Sequence, residues 1–388
     1  MRNRSKPKPG SEPRRIGLAL SGGNALGAYA AGAYEALHHA GTRPDIVSGA
    51  SIGAVTGAII AGNPPDRVVG KLRAFWQQAA SGSAVGLAPA TGRRRDIYNK
   101  MHAMQTLMAG RPGLFDLRPS GFMSMLPGTP PDLGLFDSGP LVPTLKRLID
   151  FDYLNAAHLA LVIAAVDLET GEAVYFDNRR QTIGPEHLLA STAFIPGFPP
   201  VEIDGRCLGD PGMFCNLPLD PLLNPPLPGD QLCIAVDLFD ARGSRPTSLD
   251  SALERVQDIA FATQSLRTIA AYAEKHRLRA LLARARARLA AVGGDAEPEA
   301  TADEARTGAV DIVLLAYRPP AHETGAKAIE FSRASIGERW DAGRHDMTAA
   351  LEALHAGHAT SREPGGYAFF DCRHEDQAAR SAPAATSR

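Results

Sequence analysis

Cysteine is scarce in this chain. The four residues, Cys207, Cys215, Cys233 and Cys372, show neither metal-ligand spacing nor a dense disulfide framework. A cysteine-stapled scaffold and a cysteine-based metal site are therefore excluded, and a reducing cytoplasm is the simplest compartment. Charge of one sign is missing too. The 41 Lys and Arg against 42 Asp and Glu leave a formal net charge of −1, so the whole molecule has no electrostatic bias toward nucleic acid. No apolar run reaches the length of a membrane span. The opening residues, with Arg2, Arg4, Lys6 and Lys8 among Pro, Gly and Ser, lack the apolar centre of a signal peptide and read as a flexible basic tail over residues 1–14. Internal repeats are absent, and none of the eleven histidines lies in a motif tied to a nucleophile. What the chain does have is a 44% hydrophobic content, ample for a large core, in a length that fits one elaborated α/β unit or two domains.

The chain is organised around Ile46-Val47-Ser48-Gly49-Ala50-Ser51-Ile52-Gly53. A short apolar run leads into Gly49-x-Ser51-x-Gly53, and a small-residue helical stretch continues to about Gly62. This is the layout of a strand that turns sharply into a helix with a serine at the apex. Glycines flank such a serine because the turn crowds the backbone there, and the helix N-terminus beyond it favours developing negative charge. Ser51 is the candidate nucleophile.

Upstream, Ile16–Leu20 is a short buried-type strand, Ser21-Gly22-Gly23-Asn24 is the loop after it, and a helix follows from about Ala25 to His39. Strand, glycine loop, helix, strand and elbow in succession begin a parallel α/β sheet. The loop does not fit a dinucleotide fingerprint, because Gly22-x-Asn24-x-x-Gly27 lacks the middle glycine. Successive backbone N–H groups ahead of a helix suit an oxyanion hole instead, formed by Gly22, Gly23 and Asn24.

Three stretches together resemble the patatin-like phospholipases, and the part from Ala241 onward resembles the C-terminal extension of a bacterial subgroup of that family. Ser21-Gly22-Gly23-Asn24-Ala25-Leu26-Gly27 is similar to that family's glycine-rich loop, and Gly49 to Gly53 is similar to its elbow. Ala190-Ser191-Thr192-Ala193 running into Pro196, Pro199 and Pro200, then Asp210-Pro211-Gly212, then Asn216-Leu217-Pro218, is similar to the stretch around its aspartate. The resemblance of the three stretches covers about residues 15–240. It implies a three-layer α/β/α fold with a mainly parallel sheet, a lipid acyl hydrolase activity, and a Ser51–Asp210 dyad working through an acyl-serine with neither metal nor cofactor. The chain departs from the pattern at three places: Asn24 stands for a third glycine, Leu26 for a cation, and Pro211 for the middle glycine of the aspartate triplet.

The expected organisation is a hydrolase domain over 15–240, a mainly helical extension over 241–357 and a tail over 358–388. Residues 63–140 form an irregular insert or lid. Five methionines fall between Met101 and Met125, among Leu107, Leu114, Phe115 and Phe122. They either wall a groove for acyl chains or fill the insert's own core. Ala160–Val166 and Ala173–Phe176 are expected as a hairpin flanked by Asp167 and Asp177, which with Asp237 are rival acids to Asp210. Ser251 to Leu289 reads as long helices, followed by an acidic linker over Gly293–Thr307 and a strand at Val310–Tyr317. Arg277, Arg279, Arg284, Arg286 and Arg288 would suit peripheral contact with an anionic inner membrane surface, although a solvated face is the commoner reading. Two other functions stay open: hydrolysis of non-lipid esters such as hydroxyacid oligoesters or acyl thioesters, and a weakly active binding or scaffolding role.

Overall fold

The computed structural model describes residues 14–81, 89, 91–124, 126–224, 229–291, 308–357 and 366–372. The short apolar runs of the sequence become a nine-stranded sheet. Six of its strands are parallel to their neighbours, in the order β11 (Tyr367–Asp371), β10 (Val310–Ala316), β9 (Gln231–Asp237), β1 (Arg15–Leu20), β2 (Ile46–Ala50), β5 (Ala160–Asp167). At the other edge β5 pairs antiparallel with both β6 (Ala173–Asp177) and β8 (Arg206–Gly209), and β8 with β7 (Val201–Ile203). The expected hairpin is the β5–β6 pair. A separate ribbon joins β3 (Asp116–Leu117) to β4 (Phe136–Asp137).

Both faces of the sheet are covered, which is why its strands read as unbroken apolar runs. Leu18, Leu20, Ile234, Val236, Val313 and Leu315 point into one core, while Ala19, Cys233, Ala235, Ile312 and Leu314 point into the other. The first core is roofed by α1 (Ala28–His39), α2 (Ile52–Ala61), α3 (Pro65–Ala79) and α12 (Arg333–His355). The second holds Leu222 and Leu223 of α10 (Asp220–Leu223) and Ile269 and Tyr272 of the 43-residue α11 (Leu249–Ala291). This is a three-layer α/β/α arrangement with a mainly parallel sheet. Helix α2 is buried on all sides, as its composition of Gly, Ala, Val and Ile requires.

The remaining helices are α4 (Arg93–Ala109), α5 (Pro119–Met123), α6 (Leu141–Leu148), α7 (Phe151–Asn155), α8 (Pro185–Thr192) and α9 (Gly212–Cys215). The stretch 63–140, expected as irregular, thus contains α3, α4, α5 and the ribbon.

The C-terminal part differs most from expectation. The strand expected within the mainly helical extension is β10, but Tyr367–Asp371, inside the expected tail, is the edge strand β11. Its aromatic residues are satisfied by pairing along the free edge of β10, a partner visible only once the sheet is assembled. Residues 15–240 and the C-terminal segment therefore share one sheet. Residues 1–13, the acidic stretch 293–307 and residues 373–388 lie outside the described residues.

Helix α12 crosses α1 at close range. A Cβ on Gly32 would lie 1.9 Å from the Trp340 carbonyl oxygen, and one on Gly343 would lie 1.9 Å from that of Tyr29. The indole N–H of Trp340 donates to Glu35 Oε2 at 2.6 Å, and the Tyr29 hydroxyl to Asp346 at 2.7 Å. Gly343→Ala should lower unfolding free energy by about 1–3 kcal/mol in urea titration, because backbone cannot yield as a flexible side chain can. Gly337→Ala, on the same helix with open space around it, should be neutral or stabilising by up to about 1 kcal/mol.

Candidate active site

The turn after β2 puts Ser51 at φ +53°, ψ −125°, a conformation an L-residue holds only when its surroundings impose it. Two glycines allow the turn. A Cβ on Gly49 would sit 2.5 Å from the Gly53 carbonyl group, and one on Gly53 would sit 2.2 Å from the Leu20 carbonyl oxygen. The turn is also tied from outside. Ser51 N–H donates to Ser191 Oγ at 3.0 Å, and that hydroxyl donates to the Ala164 carbonyl of β5 at 2.6 Å. Ser191 lay inside a stretch singled out in the sequence, but nothing in its pattern assigned it to the serine's own backbone.

Strand register brings Asp210 to the same level. Ala50 of β2 is paired with Ala164 of β5, and Gly209 of β8 with Val166 of β5. Because β6 occupies the other side of β5, β2 and β8 lie along the same side and run toward each other, so one residue beyond each pair Ser51 and Asp210 converge at the level of the buried Ala165. The Ser51 hydroxyl faces the Asp210 carboxylate and favours its charged form. Asp210 Oδ1 also accepts the Gly212 N–H at 2.8 Å, and Asp210 N–H donates to Ala193 O at 3.0 Å. Burial pushes the Asp210 carboxyl up to about 6, against the opposing pull of the Ser51 hydroxyl and the Gly212 N–H.

Pro211, φ −77°, caps the short α9, where its missing N–H removes no bond that the turn needs. Its departure from glycine is therefore accommodated.

The glycine loop lies against Ser51 and Asn216. A Cβ on Gly22 would meet Asn216 Oδ1 at 2.6 Å and Ser51 Cβ at 3.0 Å. Gly22 was expected to offer its N–H to an oxyanion, and the structure corrects this. That N–H donates to the Asn216 carbonyl at 3.0 Å, while Asn216 Nδ2 donates back to Gly22 O at 3.2 Å. The N–H groups of Gly23 and Asn24 are left without an acceptor among the described residues. Asn24 has φ +51°. After glycine, asparagine is among the residues that best tolerate the left-handed region, so its replacement of the third glycine keeps the loop's shape. The Asn216-Leu217-Pro218 stretch is fastened beneath the elbow by Ser48 Oγ, which donates to Pro218 O at 2.6 Å.

These groups face a cavity of about 440 Å³, a usual size for a small-molecule site. Ser51, Asp210, Gly22, Gly23, Asn24 and Gly212 line it, with an otherwise mainly apolar wall and, among the described residues, no Lys, Arg or His. Gly49, Gly53 and Pro211 support the turns without lining it. The insert contributes Leu107, Leu114, Phe115 and Phe136, yet the methionines expected to wall the groove do not. Met101, Met104, Met108 and Met123 are exposed, as is Phe122, and Met125 lies outside the described residues. The helical phase decides this: α4 buries Tyr98, Asn99, His102 and Thr106, so Met101, Met104 and Met108 lie on the opposite face, with Leu107 at the boundary between the two. Val256, Ala260 and Phe261 of α11 also line the cavity, and sequence gave no sign that this distant helix would reach the site.

The rival acids have structural roles. Asp167 accepts from Glu169 N–H, Thr170 N–H and Arg206 within its hairpin turn, Asp177 pairs with Arg179, and Asp237 caps the turn after β9 by accepting the Phe239 N–H at 3.2 Å. His102 is buried against the Tyr98 ring, and burial lowers its pKa. Among the described residues no group of His, Cys, Asp and Glu could hold a metal ion, and no helix is long and apolar enough to cross a membrane.

Comparison with known proteins gives the same grouping. A family model described as patatin-like phospholipase matches residues 18–223, and one described as patatin phospholipase matches residues 259–362. A Caenorhabditis elegans protein, patatin-like phospholipase domain-containing protein ZK370.4, is 46% identical over 61 residues, which are 16% of this chain and 4% of that relative's length. Among solved structures, VipD from Legionella pneumophila is 16% identical with a TM-score of 0.36, over 89% of this chain and 76% of its own. Human GIVD cytosolic phospholipase A2 is 12% identical with a TM-score of 0.39, over 88% of this chain and 60% of its own.

The left-handed backbone at position 24 is testable by stability alone. Asn24→Gly should leave the thermal midpoint unchanged or raised. Asn24→Ala, which keeps a Cβ without the local hydrogen bonding that eases φ > 0, should cost about 1–2 kcal/mol. Equal effects of the two substitutions would contradict the conformation.

Proposed function

The chain belongs to the patatin-like phospholipase family, and from that premise we propose that it is a lipid acyl hydrolase that uses Ser51 as nucleophile and Asp210 as general base. The observation that carries this reading is the Ser51 hydroxyl facing a buried carboxylate in one mainly apolar cavity, which Gly23 and Asn24 also line.

Asp210 accepts the hydroxyl proton as Ser51 Oγ attacks the ester carbonyl carbon. The carbonyl oxygen becomes an oxyanion held by the Gly23 and Asn24 N–H groups, with the positive end of α2 beneath it. As the tetrahedral intermediate collapses, the bond to the leaving alcohol breaks and Asp210 returns its proton to that oxygen. Water then repeats the sequence on the acyl-serine, giving its proton to Asp210 and releasing the carboxylic acid and free serine. Burial is what makes a carboxylate competent here, because it brings the base closer to neutrality than an exposed aspartate. A lining without Lys or Arg supports recognition through an apolar acyl chain rather than through a charged head group.

The mouth supports contact with a lipid surface. Leu107, Phe194, Met213 and Val256 both line the cavity and stand largely exposed at its rim. Phe214 and Leu253, exposed beside them, extend the same apolar surface without lining the cavity. In this reading the protein meets the lipid aggregate peripherally, and the acyl chain passes from one apolar medium to another.

Two measurements check the proposal. A fluorophosphonate probe should label Ser51, Ser51→Ala should reduce hydrolysis of p-nitrophenyl butyrate to background, and Asp210→Asn should reduce it by about 10²–10⁴-fold with the fold retained. Because protonated Asp210 cannot accept a proton, kcat/KM should fall as pH drops through about 6 and level off above it. Inactive folded His→Gln variants beside an active Asp210→Asn would overturn the assignment. For the rim, Phe214→Asp and Leu253→Asp should weaken co-sedimentation with phosphatidylglycerol vesicles and lower hydrolysis of vesicle lipid, while leaving p-nitrophenyl butyrate turnover within about twofold. Unchanged co-sedimentation would remove lipid-surface contact from the account.

A further inference from the structure

The turn that carries the two free N–H groups has no cation of its own. Leu26, where the family resemblance implies one, is fully buried in the core. A guanidinium nevertheless reaches this turn from the far end of the chain. Arg339 of α12 is completely buried, and its Nη1 donates to the Ala25 carbonyl at 3.3 Å. The same nitrogen donates to Glu330 O at 2.8 Å, Nη2 donates to Glu323 Oε2 at 2.9 Å and Lys327 O at 3.1 Å, and Nε donates to Glu323 Oε1 at 3.0 Å. A guanidinium has five N–H donors in a fixed planar fork, and all five are used here. The Glu330 carboxylate lies at 3.7 Å as a second counter-charge.

These acceptors come from separate pieces of the site. Ala25 belongs to the 3-10 turn Asn24–Gly27, directly after Gly23. Lys327 and Glu330 bracket the 3-10 turn Lys327–Ile329, whose Ala328 and Ile329 line the cavity. One side chain thus joins the anion-binding turn to the opposing cavity wall. Its own position is fixed because α12 is locked on α1 through Gly32, Gly343 and the Trp340–Glu35 bond.

We propose that Arg339 is a positioning residue for the oxyanion-binding turn, setting the direction of the Gly23 and Asn24 N–H groups through the Ala25 carbonyl. The C-terminal segment then completes the catalytic geometry from behind, without touching substrate. Lysine cannot replace it, since three donors on a point charge cannot serve five acceptor directions. This rests on the reading of that turn as the oxyanion site, and the experiment separates the two.

The test uses the full chain with Arg339→Lys and Arg339→Met, each checked for a native urea transition. Hydrogen exchange over residues 22–30 should be at least tenfold faster in both variants, with strands β1, β2 and β5 unchanged. With p-nitrophenyl butyrate, kcat should fall by about 10–10²-fold, the scale of a misplaced catalytic group, while KM stays within about threefold. Affinity for a trifluoromethyl ketone, which forms an oxyanion on Ser51, should fall in parallel with kcat, while decanoic acid binding should hold within threefold. Should Arg339→Met fail to fold, Arg339→Lys and Glu323→Gln carry the same measurements. Exchange and kcat both within twofold of wild type in a folded variant would overturn the proposal, as would a loss confined to KM and decanoic acid binding, which marks a collapsed pocket. Faster exchange with ketone affinity and kcat unchanged would mean that Arg339 does shape the turn but that the turn is not the oxyanion site, which sinks the proposal as stated. If wild type hydrolyses no ester, the proposed function fails on its own, and the exchange measurement still decides whether Arg339 holds the turn.

Discussion

The structure depends on one close approach, where the backbone of the Ser51 turn presses against the end of β1. Gly53 meets the Leu20 carbonyl at a separation that no side chain could enter, and Gly49 meets the Gly53 backbone in the same way. This contact lets β2 reverse into α2 within one residue and leaves the serine hydroxyl at the sheet's carboxyl edge, where ligands of open parallel sheets are received. It also places Ser51 against the loop that follows β1. The strain at Ser51 is held by bonds from elsewhere in the chain, chiefly Ser191, so the elbow belongs to the assembled sheet rather than to its own sequence.

A second constraint is electrostatic. Among the described residues the cavity wall carries a single carboxylate, and neutral groups, the Ser51 hydroxyl and the Gly212 N–H, favour its charged form. An ion pair would hold the carboxyl below its ordinary range, as Arg206 does for Asp167 and Arg179 helps to do for Asp177. Asp167 and Asp177 lie at opposite ends of the β5–β6 hairpin, and each has an arginine partner that Asp210 lacks among the described residues, which separates turn former from candidate base.

The C-terminal segment is structurally continuous with the rest. β10 and β11 extend the sheet, α12 packs backbone to backbone on α1, and α11 forms part of the cavity wall. A chain cut near residue 240 would expose one edge of β9 and one face of α1, both of which are buried in the full structure. Its buried polar groups, Glu35 above all, would lose the partners that make their burial affordable.

Much of this was legible in the sequence where chemistry demands a fixed residue at a fixed spacing. Glycines at 49 and 53, the serine between them, the Asp210 triplet and the short apolar strands follow from steric crowding and from sheet faces buried on both sides, and each leaves a local trace. The tertiary structure decided what has no local trace. Register across β2, β5 and β8 set Ser51 beside Asp210. The pairing of Gly22 N–H with Asn216 withdrew one expected oxyanion donor, since a sequence shows that a backbone donor exists and not whether it is already bonded. Helical phase sent the methionines of α4 to solvent and left Leu107 at the cavity's rim. The buried cation missing at position 26 arrived as Arg339, because hydrogen bonding depends on distance in space and is indifferent to distance along the chain.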